Sequence, residues 1–398
     1  MKYRTMGPLN WKVSALGLGC MRLPTRRINK LRAQKKDSIE LIRYGIDKGI
    51  NYIDTAWPYH LGDSEKILGE ALQDGYREKV YLITKLPIFM VRKSKDFTKY
   101  LTTQMKRLKT DYLDGYLFHA LNNGQFTKIK KLNLIEKMEE AKKEGLIRSI
   151  GFSFHDTLPV FKEIIDHYPW DISQIQYNYM DTCVQATEEG LFYAHKNGTA
   201  VVVMEPIKGG TLVNPPLDAL KILNSAETKR SPVDWALQFL WNKPEISVVL
   251  SGMGSKKMVQ ENCESANRSG IHSLTSKDKL IIEQLAEVFR KRIKVPCTAC
   301  GYCMPCPEGV NIPQNFACLN NVSLEESRFR RFQTRRAYKK LKSSRNKINK
   351  NTPDGNANVC IKCGLCLEKC PQRINIPEEL EKVKNNMGKQ TPVISMFK

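Results

Sequence analysis

The sequence predicts an α/β chain, a (β/α)8 TIM barrel followed by a smaller, mainly α-helical domain organised around clustered cysteines. Three observations carry that prediction. Between residues 14 and 269, eight short β-rich runs alternate with amphipathic helical stretches, the rhythm and length of a closed parallel barrel. The first run leads into Gly17-Leu18-Gly19-Cys20-Met21-Arg22, which lacks the third glycine of a dinucleotide fingerprint and opens no helix, so a doubly wound open sheet is disfavoured. Eight of the twelve cysteines fall in two tight groups after residue 296.

In order, the strands are expected at 15–19, 51–54, 80–84, 112–118, 147–152, 172–177, 200–204 and 246–251, with helical segments such as 37–48, 64–73, 97–108, 134–143 and 233–241 between them. Within 134–143, Leu134, Ile135 and Met138 recur at helical spacing among lysines and glutamates. A helical stretch at 277–292 closes the barrel domain, which we place at 1–290. The cysteine domain follows at 291–380 and a tail at 381–398.

With 398 residues the chain is long enough for two domains, and 41 % hydrophobic residues exclude a disordered chain. No apolar run approaches the ~18 residues of a membrane span. Residues 1–10 are polar and lack the apolar stretch of a secretory signal, so a soluble, cytoplasmic protein is expected. In such a chain clustered cysteines bind metal more readily than they form disulfides. The net charge of +23 implies attraction to acidic partners.

The second cysteine group, Cys360-x2-Cys363-x2-Cys366-x3-Cys370-Pro371, has the bacterial ferredoxin spacing for a 4Fe–4S cluster. The first, Cys297-x2-Cys300-x2-Cys303-x2-Cys306-Pro307, repeats it with one residue fewer before its last cysteine. The repeat continues beyond the cysteines, since Val310-Asn311-Ile312-Pro313 echoes Ile374-Asn375-Ile376-Pro377. In two-cluster proteins of this spacing the cysteine before proline ligates the other cluster. One 4Fe–4S cluster is therefore expected on Cys297, Cys300, Cys303 and Cys370, the other on Cys360, Cys363, Cys366 and Cys306. Zinc on four thiolates and a single cluster beside a degenerate site are the alternatives.

Asn51-Tyr52-Ile53-Asp54-Thr55-Ala56-Trp57-Pro58-Tyr59, followed by Ser64-Glu65 and Leu68-Gly69-Glu70-Ala71-Leu72, resembles the signature of the aldo/keto reductase family. Ile83-Thr84-Lys85 and Leu117-Phe118-His119 match its two remaining catalytic positions. The resemblance covers residues 3 to about 270, and with the cysteine domain the chain is similar to the iron–sulfur branch of that family. It implies an oxidoreductase acting on a small carbonyl or alcohol, with Tyr59 as general acid and Asp54, Lys85 and His119 around it. The chemistry agrees: a free tyrosine, with a pKa near ~10, is a poor proton donor at neutral pH, and a neighbouring ammonium held by a carboxylate lowers that value. All four residues fall at or just after strand ends, where barrel active sites form. Trp57, Phe89 and Leu121 are candidate pocket walls.

The resemblance also implies a nicotinamide cofactor, NAD(P)H, near Met21, Ser153, Gln176, Gly252, Met253, Lys257, Glu261 and Asn262. Here the pattern departs from the family. Phe154 stands where an asparagine is usual, and Met204-Glu205-Pro206 lacks the aromatic ring that stacks on nicotinamide. Gly252 and Met258 occupy the positions of the 2′-phosphate-binding lysine and arginine, with Lys256 and Lys257 as neighbours able to substitute. Nicotinamide moves electron pairs and each cluster moves single electrons, a mismatch that a flavin resolves. Three readings stay open: a nicotinamide enzyme whose clusters are structural or serve a partner, a flavin in the same groove, or both cofactors in turn. Beside these stands a barrel that binds a redox partner without small-molecule turnover.

Residues 327–350 read as a basic helix, carrying Arg328, Arg330, Arg331, Arg335, Arg336, Lys339, Lys340, Lys342, Arg345, Lys347 and Lys350 without an acidic residue. Phe329, Phe332 and Leu341 are expected to pack its inner face. It is a solvated helix or a docking surface for an acidic electron carrier such as ferredoxin or flavodoxin. Nucleic acid is the weakest reading, since no recognition motif accompanies the charge.

Overall fold

The chain begins with a hairpin that its polar first residues do not announce. Strands β1 (Tyr3–Met6) and β2 (Trp11–Ser14) pair antiparallel across a turn at Gly7–Leu9, burying Met6 and Val13. This computed structural model describes residues 1–25, 32–325, 327–341 and 355–388. Eight parallel strands then close a barrel: β3 (Leu16–Gly19), β4 (Tyr52–Asp54), β5 (Tyr81–Leu86), β6 (Leu113–Leu121), β7 (Ile147–Phe154), β8 (Ile172–Gln176), β9 (Ala200–Met204) and β10 (Ile246–Ser251), with β10 pairing β3 to complete the ring. All eight expected strands are present, and the fold is the TIM barrel that the alternation predicts. Strands β6 and β7 run two or three residues beyond the expected ends.

Strand parity sorts the side chains. Tyr52, Ile83, Leu117, Ile172, Val202 and Val248 form one buried cluster together with Met6 and Val13, whereas Ile53, Leu82, Phe118 and Val203 join the layer that packs the helices. The barrel interior is tightly filled: a Cβ on Gly151 would lie 2.3 Å from the Ile172 carbonyl oxygen, so only glycine fits at that crossing.

The chain divides into two compact units, Met1–Pro206 with Val233–Thr275, and Ile207–Pro232 with Ser276–Lys398. Helix Ser276–Arg292, which the sequence boundary at 290 cuts, belongs to the second. That unit has its own core of Val310, Phe316, Val322, Tyr338, Leu380 and Val383, with six of the clustered cysteines packed on its margin. The internal repeat is visible as structure. Helices Ile312–Leu324 and Ile376–Gly388 each start six residues after the last cysteine of their group, with Pro313 and Pro377 in the first turn, where a missing N–H costs nothing. The second of these helices runs across residue 381, the expected start of the tail.

The basic segment differs from its expectation. Its helix spans Arg328–Lys339, capped by Ser327, whose Oγ accepts from the Arg330 N–H. Phe329 and Phe332 are exposed, at 67 % and 62 %, and do not pack inward; buried Tyr338 is the anchor instead. Lys342, Arg345, Lys347 and Lys350 lie outside the described residues. Among the described residues no helix is long and apolar enough to cross a membrane.

Candidate functional site

Asp54 ends β4, Lys85 is the penultimate residue of β5, and His119 lies near the end of β6. Each follows an interior residue by two positions, so parity aims all three into the barrel, one layer above Tyr52, Ile83 and Leu117. The Lys85 ammonium donates to both carboxylate oxygens of Asp54, at 2.6 and 2.7 Å, and to the Thr55 carbonyl at 2.9 Å. Three acceptors match its three N–H groups. Burial pushes the Asp54 pKa up and that of Lys85 down, and their mutual attraction opposes both shifts. Nζ lies 5.2 Å from the centroid of the Tyr59 ring, which is buried at 8 % exposure. The His119 ring stands almost perpendicular to Tyr59, 6.0 Å between centroids, with Phe89 at the same distance from it. Burial first, then the Lys85 charge, holds the His119 pKa well below its ordinary value, so the imidazole is neutral at pH 7. Leu121, a candidate pocket wall, is instead fully buried in the main core.

The loop that carries Tyr59 is unusual. His60 and Leu61 both adopt left-handed backbone, φ 53° and 59°, before Gly62 at 87°. Non-glycine residues hold such angles only where the surroundings over-determine them. The surroundings here include Ser64 and Glu65, which the sequence placed in the signature without a task. Ser64 Oγ donates to the Cys20 carbonyl and lies 2.9 Å from Thr55 Oγ1. Fully buried Glu65 accepts from Thr84 Oγ1 at 2.8 Å and from Arg107 at 3.0 Å, and the Arg107 guanidinium covers the Trp57 ring at 3.6 Å. Together these contacts fix both ends of the segment leading to Tyr59.

The expected cofactor residues are placed unevenly. Ser153 Oγ accepts from the Ala120 N–H at 2.8 Å, at the mouth end of β7. Both ends of the Gln176 amide have protein partners: its Nε2 donates to Asp181 at 3.0 Å and its Oε1 accepts from Gln185 at 3.3 Å. Gln185 in turn contacts His155 Nδ1 at 3.2 Å. Phe154 turns away into the helix layer, 5.0 Å from Phe161 between centroids. Gln174, two residues before Gln176 on the same inner face, has a buried side-chain oxygen without a protein partner. Sequence reasoning missed it, although the two-residue alternation along β8 points to it.

After β10 the chain passes through Gly252-Met253-Gly254-Ser255 into helix Lys256–Asn267, whose first turn Ser255 caps. A strand, a glycine loop and a helix N-terminus form an arrangement that accepts phosphate. A Cβ on Gly252 would lie 3.0 Å from the Arg22 side chain, so the turn holding Met21 and Arg22 borders this loop. Met253 is buried. Lys256 pairs with Glu40 at 3.0 Å and Lys257 faces Glu261 at 3.7 Å, so each lysine able to meet a 2′-phosphate already faces a carboxylate. Asn262 donates to Ser251 Oγ at 3.1 Å.

Burial pushes the His155 pKa down from 6.5 to about 4. The folded state thus binds fewer protons than the unfolded state between those values. The contribution of His155 is complete above pH ~6.5, falls by about 1.4 kcal/mol per pH unit below it, and levels off near pH 4, a loss of roughly 3 kcal/mol. Urea unfolding of the wild type and of His155→Gln across that range should show a difference in stability that shrinks as the pH drops. A constant difference would contradict the assignment.

In the second unit the two cysteine loops share a backbone. Ala299 and Gly301 have φ of 54° and 80°, and the equivalent Lys362 and Gly364 have 57° and 78°. One hollow is lined by Cys297, Cys300, Cys303 and Cys370, the other by Cys306, Cys360, Cys363 and Cys366 with Cys303 on its wall. Electrostatics reports the same neighbours. Burial raises the Cys303 pKa and the thiols of Cys300, Cys297 and Cys370 add to it; burial raises that of Cys366 to about 11, with Cys360, Cys306 and Cys363 adding. Among the described residues no three His, Cys, Asp or Glu side chains converge to hold a single metal ion. A cubane is larger than one ion, and thiols arranged around a hollow suit its corners. The donor set therefore fits two iron–sulfur clusters.

Comparison with known proteins agrees with both halves. The profile of the Aldo/keto reductase family matches residues 15–278, and that of the 4Fe-4S dicluster domain matches residues 296–376. The uncharacterized oxidoreductase YqkF of Bacillus subtilis (strain 168) is 28 % identical over 298 residues, 67 % of this chain and 92 % of that protein. The NADH-specific methylglyoxal reductase of Escherichia coli (strain K12) is 26 % identical over 335 residues, 73 % of this chain and all of that protein. Among solved structures, the holo form of the aldo-keto reductase AKR11C1 from Bacillus halodurans is 28 % identical with a TM-score of 0.60, covering 72 % of this chain and 96 % of that one.

Proposed function

Because this chain belongs to the aldo/keto reductase family, we propose that its barrel mouth reduces a small carbonyl compound, or oxidises the matching alcohol, and that its second unit carries two 4Fe–4S clusters exchanging single electrons with a protein carrier. The observation that supports the first half is the buried Lys85 ammonium, bonded to Asp54 and 5.2 Å from the Tyr59 ring. A nicotinamide dinucleotide held in the groove would supply the hydride chemistry at the carbonyl carbon. Tyr59 gives its phenolic proton to the carbonyl oxygen as negative charge develops there. Lys85 stabilises the phenolate left behind, and Asp54 keeps the ammonium in place. Neutral His119 donates a hydrogen bond to the same oxygen and orients it. Ser153 and Gln176 would border the reacting end of the dinucleotide, Met21 and the loop from Gly252 through Met253 its phosphates, and Lys257, Glu261 and Asn262 its far end. The eight cysteines already named would hold the clusters, which would supply one-electron chemistry.

A flavin in the same groove is the second reading. Met204-Glu205-Pro206 offers no ring to stack on nicotinamide, and a flavin converts between electron pairs and single electrons. We place the protein in the cytoplasm, where clustered thiols serve as metal ligands more readily than as disulfides.

The test mixes anaerobic holoprotein with NADH or NADPH and methylglyoxal as a probe carbonyl. Carbonyl-dependent loss of reduced-nicotinamide absorbance is the expected result. A flavin released on denaturation, without such loss, would replace it with the second reading.

A further inference from the structure

We propose that the face around the second cysteine group, formed by Ile361, Lys362, Leu365, Leu367 and Lys369 and extended by the basic helix Arg328–Lys339, is the docking surface for a small acidic protein that carries one electron at a time. This inference rests on the reading that the cysteine groups hold clusters.

The two groups differ in their surroundings. The hollow of Cys297, Cys300, Cys303 and Cys370 is walled by Ile312, Phe316, Ile374 and Ile376, all buried in the core of the unit. At the other hollow Cys363 itself is exposed, and Ile361, Leu365 and Leu367 stand 65 %, 60 % and 41 % exposed. Each such aliphatic side chain leaves apolar area in water that a partner could cover, and clustered exposed apolar residues mark interaction surfaces. These three alternate with the expected ligands along seven residues of chain, so whatever covers them lies against the cluster. Electron transfer requires that proximity, because its rate falls steeply with distance.

Charge selects the occupant. Residues 296–398 hold eighteen lysines and arginines against eight aspartates and glutamates. Helix Arg328–Lys339 contributes six of the basic residues and no acid, with Phe329 and Phe332 exposed among them. Buried Tyr338 and the bond from the Gly355 N–H to the Leu341 carbonyl tie the end of that helix to the strip leading into Cys360. A second copy of this chain would bring the same +23 charge and be repelled. An acidic carrier meets both the charge and the apolar centre, the arrangement of a steered electron-transfer encounter. In the step itself one electron leaves the reduced carrier and enters the oxidised second cluster, with no proton or bond change.

The test uses anaerobic holoprotein and an acidic 2Fe–2S ferredoxin as the probe. Transfer from the pre-reduced probe is followed by stopped flow, and binding of the oxidised probe by calorimetry. The rate constant is expected to fall about tenfold or more between low and high salt. The pairs Ile361→Ser with Leu365→Ser, and Arg328→Glu with Arg336→Glu, whose side chains are exposed, should each lower the rate and weaken the Kd about tenfold. Reduction by methyl viologen radical, a small cation, should be unchanged in both. If the serine pair loses its cluster absorbance, the glutamate pair decides. Rates and Kd equal to wild type in the glutamate pair overturn the docking surface. So does loss of binding to phosphatidylserine vesicles with ferredoxin transfer intact, which would assign the face to an anionic membrane. Protein without clusters would instead sink the functional reading beneath it.

Discussion

Replacing Tyr59 with phenylalanine is expected to lower the turnover of carbonyl reduction by about two to four orders of magnitude, the usual loss when a positioned general acid is removed. The ring is almost fully buried and keeps its contact with His119, so the fold and cofactor affinity should be retained. The loss should therefore appear in kcat rather than in KM. Lys85→Met is the informative companion, since it removes the charge proposed to stabilise the phenolate and leaves the Asp54 carboxylate buried without its partner. Breaking such a pair from one side costs about 3–5 kcal/mol, so this variant should lose activity and melt earlier. Steady-state kinetics and thermal melts check both. Unchanged turnover in Tyr59→Phe would show that the proton comes from elsewhere.

The second large effect concerns the crossed cysteines. Cys370→Ser should abolish the cluster of Cys297, Cys300 and Cys303, although Cys370 belongs by sequence to the other group, and Cys306→Ser should abolish the cluster of Cys360, Cys363 and Cys366. Iron content should drop from about eight to about four per chain in either variant. Electron paramagnetic resonance of the reduced proteins decides which cluster survives. Cys370→Ser should match Cys300→Ser, and Cys306→Ser should match Cys363→Ser. A match of Cys370→Ser with Cys363→Ser would mean that each group binds its own cluster.

The barrel was legible because strand and helix periodicities alternate over most of the chain, and the parity that buries Tyr52, Ile83 and Leu117 also aims Asp54, Lys85 and His119 at the mouth. Hairpin β1–β2 was not legible, because two four-residue strands carry too short a pattern to show an alternation. The basic helix misled for another reason. Its phenylalanines look like a packing face by spacing, but the core of the second unit admits only Tyr338 from that helix. The motif positions around Tyr59 could be read directly. The supports could not: Glu65 with Arg107, Lys256 with Glu40, and Gln176 with Asp181 and Gln185 are partnerships that only the folded chain creates. The cysteine repeat was the most readable feature, since equal spacing yields equal left-handed turns at Gly301 and Gly364.

The most direct measurement is the iron and acid-labile sulfide content of anaerobically purified full-length protein, taken with its visible spectrum. Two clusters predict a brown protein with about eight irons and about eight sulfides per chain, bleached on reduction. A colourless protein holding about two zinc ions and no sulfide would contradict the one-electron half of this account and leave the barrel as a reductase with a structural metal domain.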